Sequence, residues 1–123
     1  MKAKRPVNVF VSHARVDAPR LKGILRRLVA SGLIGEEDRI LKEEDLPAQH
    51  RSLRQEVKRR IQSASKVVVI WGDASASSQW VNYEIGLADA LGKPIIAVLP
   101  KENAVALPGN LQNVQIVKVA TDG

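Results

Sequence analysis

Apolar positions along the chain fall into two rhythms. Residues 7–12 (VNVFVS), 66–71 (KVVVIW), 94–99 (PIIAVL) and 114–119 (VQIVKV) are short runs, the first bounded by Pro6 and the polar SHARVD. Such runs, rich in β-branched side chains, predict strands. KVVVIW and PIIAVL are apolar without alternation, as parallel strands covered on both faces are. Elsewhere the spacing is helical. In DAPRLKGILRRLVASG, Leu21, Ile24, Leu25, Leu28 and Val29 form a stripe, with Asp17 as N-cap, Pro19 in the first turn and Gly32 at the end. Ser52 and Gln55 match a capping box ahead of a second stripe, Leu53, Val57 and Ile61. A third helix is expected within SSQWVNYEIGLADALG at 77–92, reached through the loop GDASASS. RILKEE predicts a short edge strand, DLPAQH a loop, and PKENAVALPGNLQN is too broken for a long helix.

Strands alternating with helices imply right-handed crossovers and an open parallel sheet with helices on both faces. For five strands the common arrangement is the flavodoxin-like order 2-1-3-4-5, whose first and third strands are neighbours at the topological switch point. The crevice there lies between the loops SHARVD and GDASASS. A length of 123 residues suits one domain, 1–123, with one core and one site.

One residue of the third helix breaks its pattern. At about 100° per residue, with Trp80 at zero, Leu87 falls near 340°, Leu91 near 20°, Ala88 near 80° and Val81 near 100°. Glu84 falls near 40°, with the apolar stripe, while Asp89 and Asn82 fall near 180° and 200°, defining the expected solvent face. A carboxylate stripped of water costs several kcal/mol unless it is paired or protonated. Either Glu84 is tied into a structural pair, or it looks into the crevice where this helix begins; topology favours the crevice.

Composition narrows the partners. With 45% hydrophobic and 26% charged residues and no apolar run near the ~20 needed to span a bilayer, a membrane protein is not expected. The basic start MKAKRP lacks the apolar stretch and cleavage pattern of a signal peptide. The absence of cysteine excludes a disulfide framework and a thiolate metal site, and cytoplasm is the expectation. The net charge of +6 is spread over expected helix faces, and an aromatic content of 3% argues against a single-strand nucleic-acid binder. The run KRR at 58–60 is the densest basic cluster and the one pointer to an acidic partner.

Three segments carry a resemblance. FVSHARVD at 10–17 resembles the first box of Toll/interleukin-1 receptor (TIR) domains, KEEDLPAQH at 42–50 their second conserved region, and SSQWVNYEIGLADALGKPIIAVLP at 77–100 their S-x-W-x-x-x-E segment with the Gly-Lys-Pro turn that follows. The pattern is closest to prokaryotic members. The resemblance implies the same flavodoxin-like fold and, as in many prokaryotic and plant members, cleavage of NAD+ to nicotinamide and ADP-ribose or a cyclic isomer. It makes Glu84 the catalytic glutamate, with Ser12, His13, Arg15, Gly72 and Trp80 as substrate-binding candidates around it. Arg15 is suited to a pyrophosphate and Trp80 to stacking on a ring, although an exposed Arg and a packed core Trp would read the same way. Asp17, Ser77 and Ser78 read equally well as helix caps, and Tyr83 as packing. NAD+ is then a substrate, and neither cofactor nor metal is implied: His13 and His50 supply no metal-ligand spacing.

The resemblance also implies self-association through the loop 43–50, a separate sensor or effector protein, and a role in anti-phage defence or signalling. Four positions depart from the family pattern: Ala14, Lys42, Ala48 and Gly72 stand where Ser, an acidic residue, Gly and Ser are common. Two other readings stay open, a non-enzymatic TIR interaction module and a nucleoside deoxyribosyltransferase, which shares the fold type and a glutamate chemistry. A phospho-receiver is poorly supported, because the first strand ends in Ser12 and His13 and not in paired acids.

Overall fold

The computed structural model describes residues 5–42, 53–101, 106–109, 111 and 113–119. Five strands, β1 (Asn8–Ser12), β2 (Arg39–Lys42), β3 (Lys66–Ile70), β4 (Ile95–Pro100) and β5 (Val114–Val119), form one all-parallel sheet in the order β2-β1-β3-β4-β5. This is the expected flavodoxin-like order, with β1 beside β3 and Ser12 level with Val69.

Side chains alternate across each strand, so the sheet divides its apolar residues between two layers. Val9, Val11, Val68, Ile70, Ile96 and Val98 face α1 (Ala18–Ala30), which meets them with Leu21, Ile24 and Leu28. Phe10, Val67, Val69, Ile95 and Ala97 face α2 (Leu53–Ser63) and α4 (Gln79–Ala90), which contribute Val57, Ile61, Val81, Ile85 and Ala88. The central strands β1, β3 and β4 are thus covered twice, which explains their lack of sequence alternation. At about 1.5–3 kcal/mol per fully buried aliphatic side chain, these two layers are the main favourable term in folding. Along the edge strand β5, Gln115, Ile116 and Lys118 are exposed.

Two helices stop on the same device. After α1, Gly32 takes φ +84°; its N–H donates to Val29 O and the Leu33 N–H donates to Leu28 O. After α4, Gly92 takes φ +70°, with Gly92 N–H to Asp89 O and Lys93 N–H to Ala88 O. Each pair satisfies carbonyls that the helix end leaves open, and each needs a left-handed residue that glycine adopts without a Cβ penalty.

Helix starts differ from expectation. Asp17 occupies the N-cap of α1, but a 3-10 turn over Arg15–Asp17 precedes it and leaves Asp17 at φ −88°, ψ −4°, so its side chain makes no capping bond. Such a bond ordinarily goes with extended backbone at that position. The segment GDASASS is not all loop: Asp73–Ala76 forms a one-turn helix, α3, in which the Gly72 N–H donates to Ser75 Oγ at 2.7 Å. The expected cap at Ser52 and the loop DLPAQH lie outside the described residues. Among the described residues no helix is long and apolar enough to cross a membrane.

Candidate functional site

β1 delivers one polar side chain to the α4 side of the sheet. The alternation that sends Phe10 toward α2 and α4 sends Ser12, two residues on, the same way, at the C-terminal end of the strand. There Ser12 Oγ donates a hydrogen bond of 2.5 Å to Glu84 Oε1, a contact spanning 72 residues of sequence. Both residues are buried, each 1% exposed. The length is that of a charge-assisted O–H to carboxylate bond. Two opposing effects therefore act on the carboxyl: lost hydration favours the protonated form, and a donated hydroxyl favours the ionised one.

Glu84 reaches this place because α4 turns a different stripe to the core than its sequence suggests. The buried residues of α4 are Val81, Glu84, Ile85 and Ala88, whereas Trp80, Leu87 and Leu91 are half-buried. The buried stripe is rotated toward Ile85, and Glu84 sits at its edge with Trp80 just beyond. The side expected to face solvent is also partly covered. Asn82 is half-buried and its amide donates to Ser78 O at 2.8 Å, Ala76 O at 3.2 Å and Ser75 O at 3.4 Å. The turn of α3, absent from the sequence reading, supplies two of those carbonyls. Ser78 caps α4, its Oγ accepting from the Val81 N–H at 3.2 Å.

The other candidates gather at the same end of the sheet in unequal ways. His13 follows Ser12, is half-buried, and its Nδ1 lies 2.9 Å from Ala14 O, so that nitrogen carries the proton. Arg15 is exposed on the 3-10 turn. Gly72 follows β3 by two residues; its backbone is extended, and a Cβ built there meets nothing within 4 Å. Trp80 stacks on Tyr83 with ring centroids 5.3 Å apart and planes 25° from parallel, and the Arg54 guanidinium lies 4.9 Å above the Tyr83 ring. The buried Trp80 Nε1 has no hydrogen-bond partner among the described residues. The loop 43–50, expected to mediate self-association, lies outside them.

The direct Ser12–Glu84 contact escaped the sequence reading, which placed the two residues at one crevice without pairing them. A signal was present: Ser12 continues the alternation of Phe10, and Glu84 continues that of Ala88 and Val81. Ser75, fully buried under the Gly72 turn, and the triple donation by Asn82 left no comparable signal, because both depend on α3.

Comparison with known proteins gives one family and several solved structures of similar fold. A family model described as TIR domain matches residues 9–122. No curated protein sequence matches. Among solved structures, the CMP N-glycosidase BcmB of Clostridium botulinum is similar at TM-score 0.59 and 19% identity, over 91% of this chain and 88% of that one. The 2-desoxiribosyltransferase of Leishmania mexicana is similar at TM-score 0.53 and 18% identity, over 76% and 65%. The TIR domains of the activated Roq1 resistosome are similar at TM-score 0.59 and 17% identity, over 77% and 58%.

Proposed function

This chain belongs to the TIR-domain family, and we propose that it is an NAD+ nucleosidase whose catalytic group is Glu84. The observation that carries the reading is a carboxylate buried at the C-terminal end of the central strands and held by a hydroxyl from β1. That is the switch-point position where open α/β sheets bind ligands.

The chemistry asks little of the protein. When the C1′–N bond of NAD+ breaks, its electron pair goes to the pyridinium nitrogen and nicotinamide leaves neutral, so no general acid is required. The ribose is left with oxocarbenium character, which a fixed anion in a water-poor site stabilises. Water then adds its oxygen to C1′ and releases a proton, giving ADP-ribose; attack by a second nucleophilic atom of the same molecule gives a cyclic isomer. Ionised Glu84 accepts from the ribose hydroxyls and faces the developing positive charge. Trp80, His13 and Arg15 border the same strand ends and are suited to a ring, a hydroxyl and a pyrophosphate, with Gly72 leaving room for backbone approach. Self-association through 43–50 and signalling in antiviral defence in the cytoplasm belong to the same proposal.

A second reading, an interaction module without catalysis, draws on the same burial: a Ser12–Glu84 pair 1% exposed would also tie α4 to β1 as a structural link. One assay separates them. Wild-type protein and Glu84→Gln, each at high concentration, are incubated with NAD+, CMP or a deoxynucleoside, and the released base is measured. Nicotinamide release that vanishes in the variant supports the proposal. No release from any substrate under assembling conditions supports the module, while release of cytosine or exchange of a nucleobase would redirect the reading to those substrates.

A further inference from the structure

We infer that Ser12 is a positioning residue for Glu84: its hydroxyl fixes the carboxylate and keeps it ionised by donating to Oε1, and it is not itself a contact to substrate. In its bearing on catalysis the inference rests on the proposed role of Glu84. Its basis is geometric. The bond is 2.5 Å long, both residues are 1% exposed, and the donor sits at the end of β1, where Ser12 pairs with Val69 of β3 and the preceding Val11 with Lys42 of β2. A hydroxyl with one hydrogen committed to Glu84 has none left to donate to a sugar. A carboxylate with one oxygen so occupied has a fixed plane, and its other oxygen a fixed direction.

Removing the donor also removes a specific support for the negative charge. Other charged or titratable groups lie on the segments around this bond: His13, Arg15 and Asp17 after β1, Lys42 at the end of β2, Lys66 at the start of β3, Arg54, Glu56, Lys58, Arg59 and Arg60 on α2, Asp73 on α3, Lys93 and Lys101 flanking β4, and Tyr83 and Asp89 on α4 itself. None of these is buried, and a substitution at Ser12 leaves them all in place. A change in the titration of Glu84 therefore reports the hydroxyl. A hydrogen bond to a charged group is strong enough to move a titration midpoint by about one to two pH units, and loss of a donor to the ionised form moves it upward.

The test is an NMR titration of the isotope-labelled glutamate side chains, with the Glu84 signal identified by its loss in Glu84→Gln. It compares wild type, Ser12→Ala and Ser12→Thr, with Ser12→Cys, a weak donor of similar size, in place of the alanine variant should that fail to fold. The expected result is a midpoint raised by about one unit or more in Ser12→Ala or Ser12→Cys and restored in Ser12→Thr. An unchanged midpoint in every folded variant overturns the inference. In parallel, Ser12→Ala should lower kcat for nicotinamide release about 10- to 100-fold at neutral pH and move the acidic limb of the rate profile upward, with KM within about twofold. A rise in KM at constant kcat would make Ser12 a substrate contact and overturn it equally. The two arms fail separately: a protein that releases no nicotinamide at all refutes the NAD+ reading, while the titration still decides the role of Ser12.

Discussion

The two ends of the sheet treat charge in opposite ways. At the N-terminal end, half-buried cations meet carbonyls where helices finish: Lys66 Nζ donates to Leu33 O at 2.7 Å just beyond α1, and Lys93 Nζ to Gln62 O at 2.9 Å in the last turn of α2. Helix C-termini carry partial negative charge, so these contacts place cations where the backbone already favours them. At the C-terminal end, a fully buried carboxylate accepts a hydrogen bond from the Ser12 hydroxyl. A cleft of about 350 Å³ opens at the N-terminal end, lined by Gly32, Leu33, Lys66, Pro94, Asn113 and Gln115 among others. The cleft holds a lysine satisfied by backbone, while the C-terminal end holds the charge that folding had reason to avoid.

That contrast can be broken at either end. The largest effect is expected from Glu84→Gln, which keeps an acceptor for Ser12 but removes the charge. Nicotinamide release should fall about 1,000-fold, some 4 kcal/mol of transition-state stabilisation, while the urea midpoint moves little. Phe10→Ala, beside Ser12 on the same face of β1, should cost about 3–5 kcal/mol in urea unfolding, because Phe10 is fully buried in the layer under α4. At the other end, Lys66→Met should cost about 1 kcal/mol by leaving Leu33 O without its donor, and should leave nicotinamide release unchanged. Gly92→Ala should cost a similar amount, about 1 kcal/mol, since φ +70° admits alanine only with strain although no atom crowds its Cβ. The smallest effect belongs to Gly72→Ser, which restores the residue common in the family at an extended position with open space. Stability should stay within about 0.5 kcal/mol, and a change in KM would be the sign of a substrate contact there.

Much of the fold was legible because its causes are local. β-Branched runs without alternation announced buried parallel strands, and all five expected strands are present within a residue or two of their expected ends. Glycines at 32 and 92 stood where two helices stop. What failed locally failed for a local reason too: Asp17 sits at the cap position, but the preceding 3-10 turn gives it helical backbone, and the turn of α3 is too short to show a period.

The site was legible in part. The helical angles put Glu84 with the apolar stripe, and it is buried; they put Trp80, Leu87 and Leu91 there as well, and these are only half-buried. A helical wheel records which residues share a side, while the rotation of the helix about its axis is set by what it packs against. Here α3 covers the flank at Asn82, and the sheet takes Val81, Ile85 and Ala88.

The sequence by itself therefore determined the five strands, the three long helices and the presence of one carboxylate on an apolar face, since all three follow from residue type and spacing along a continuous chain, and the alternation of strands with helices implied the parallel sheet. Only the tertiary structure decided what that carboxylate touches. Ser12 and Glu84 are 72 residues apart, and their 2.5 Å contact exists because β1 lies beside β3 and α4 crosses above it. No periodicity within either segment encodes the distance between them.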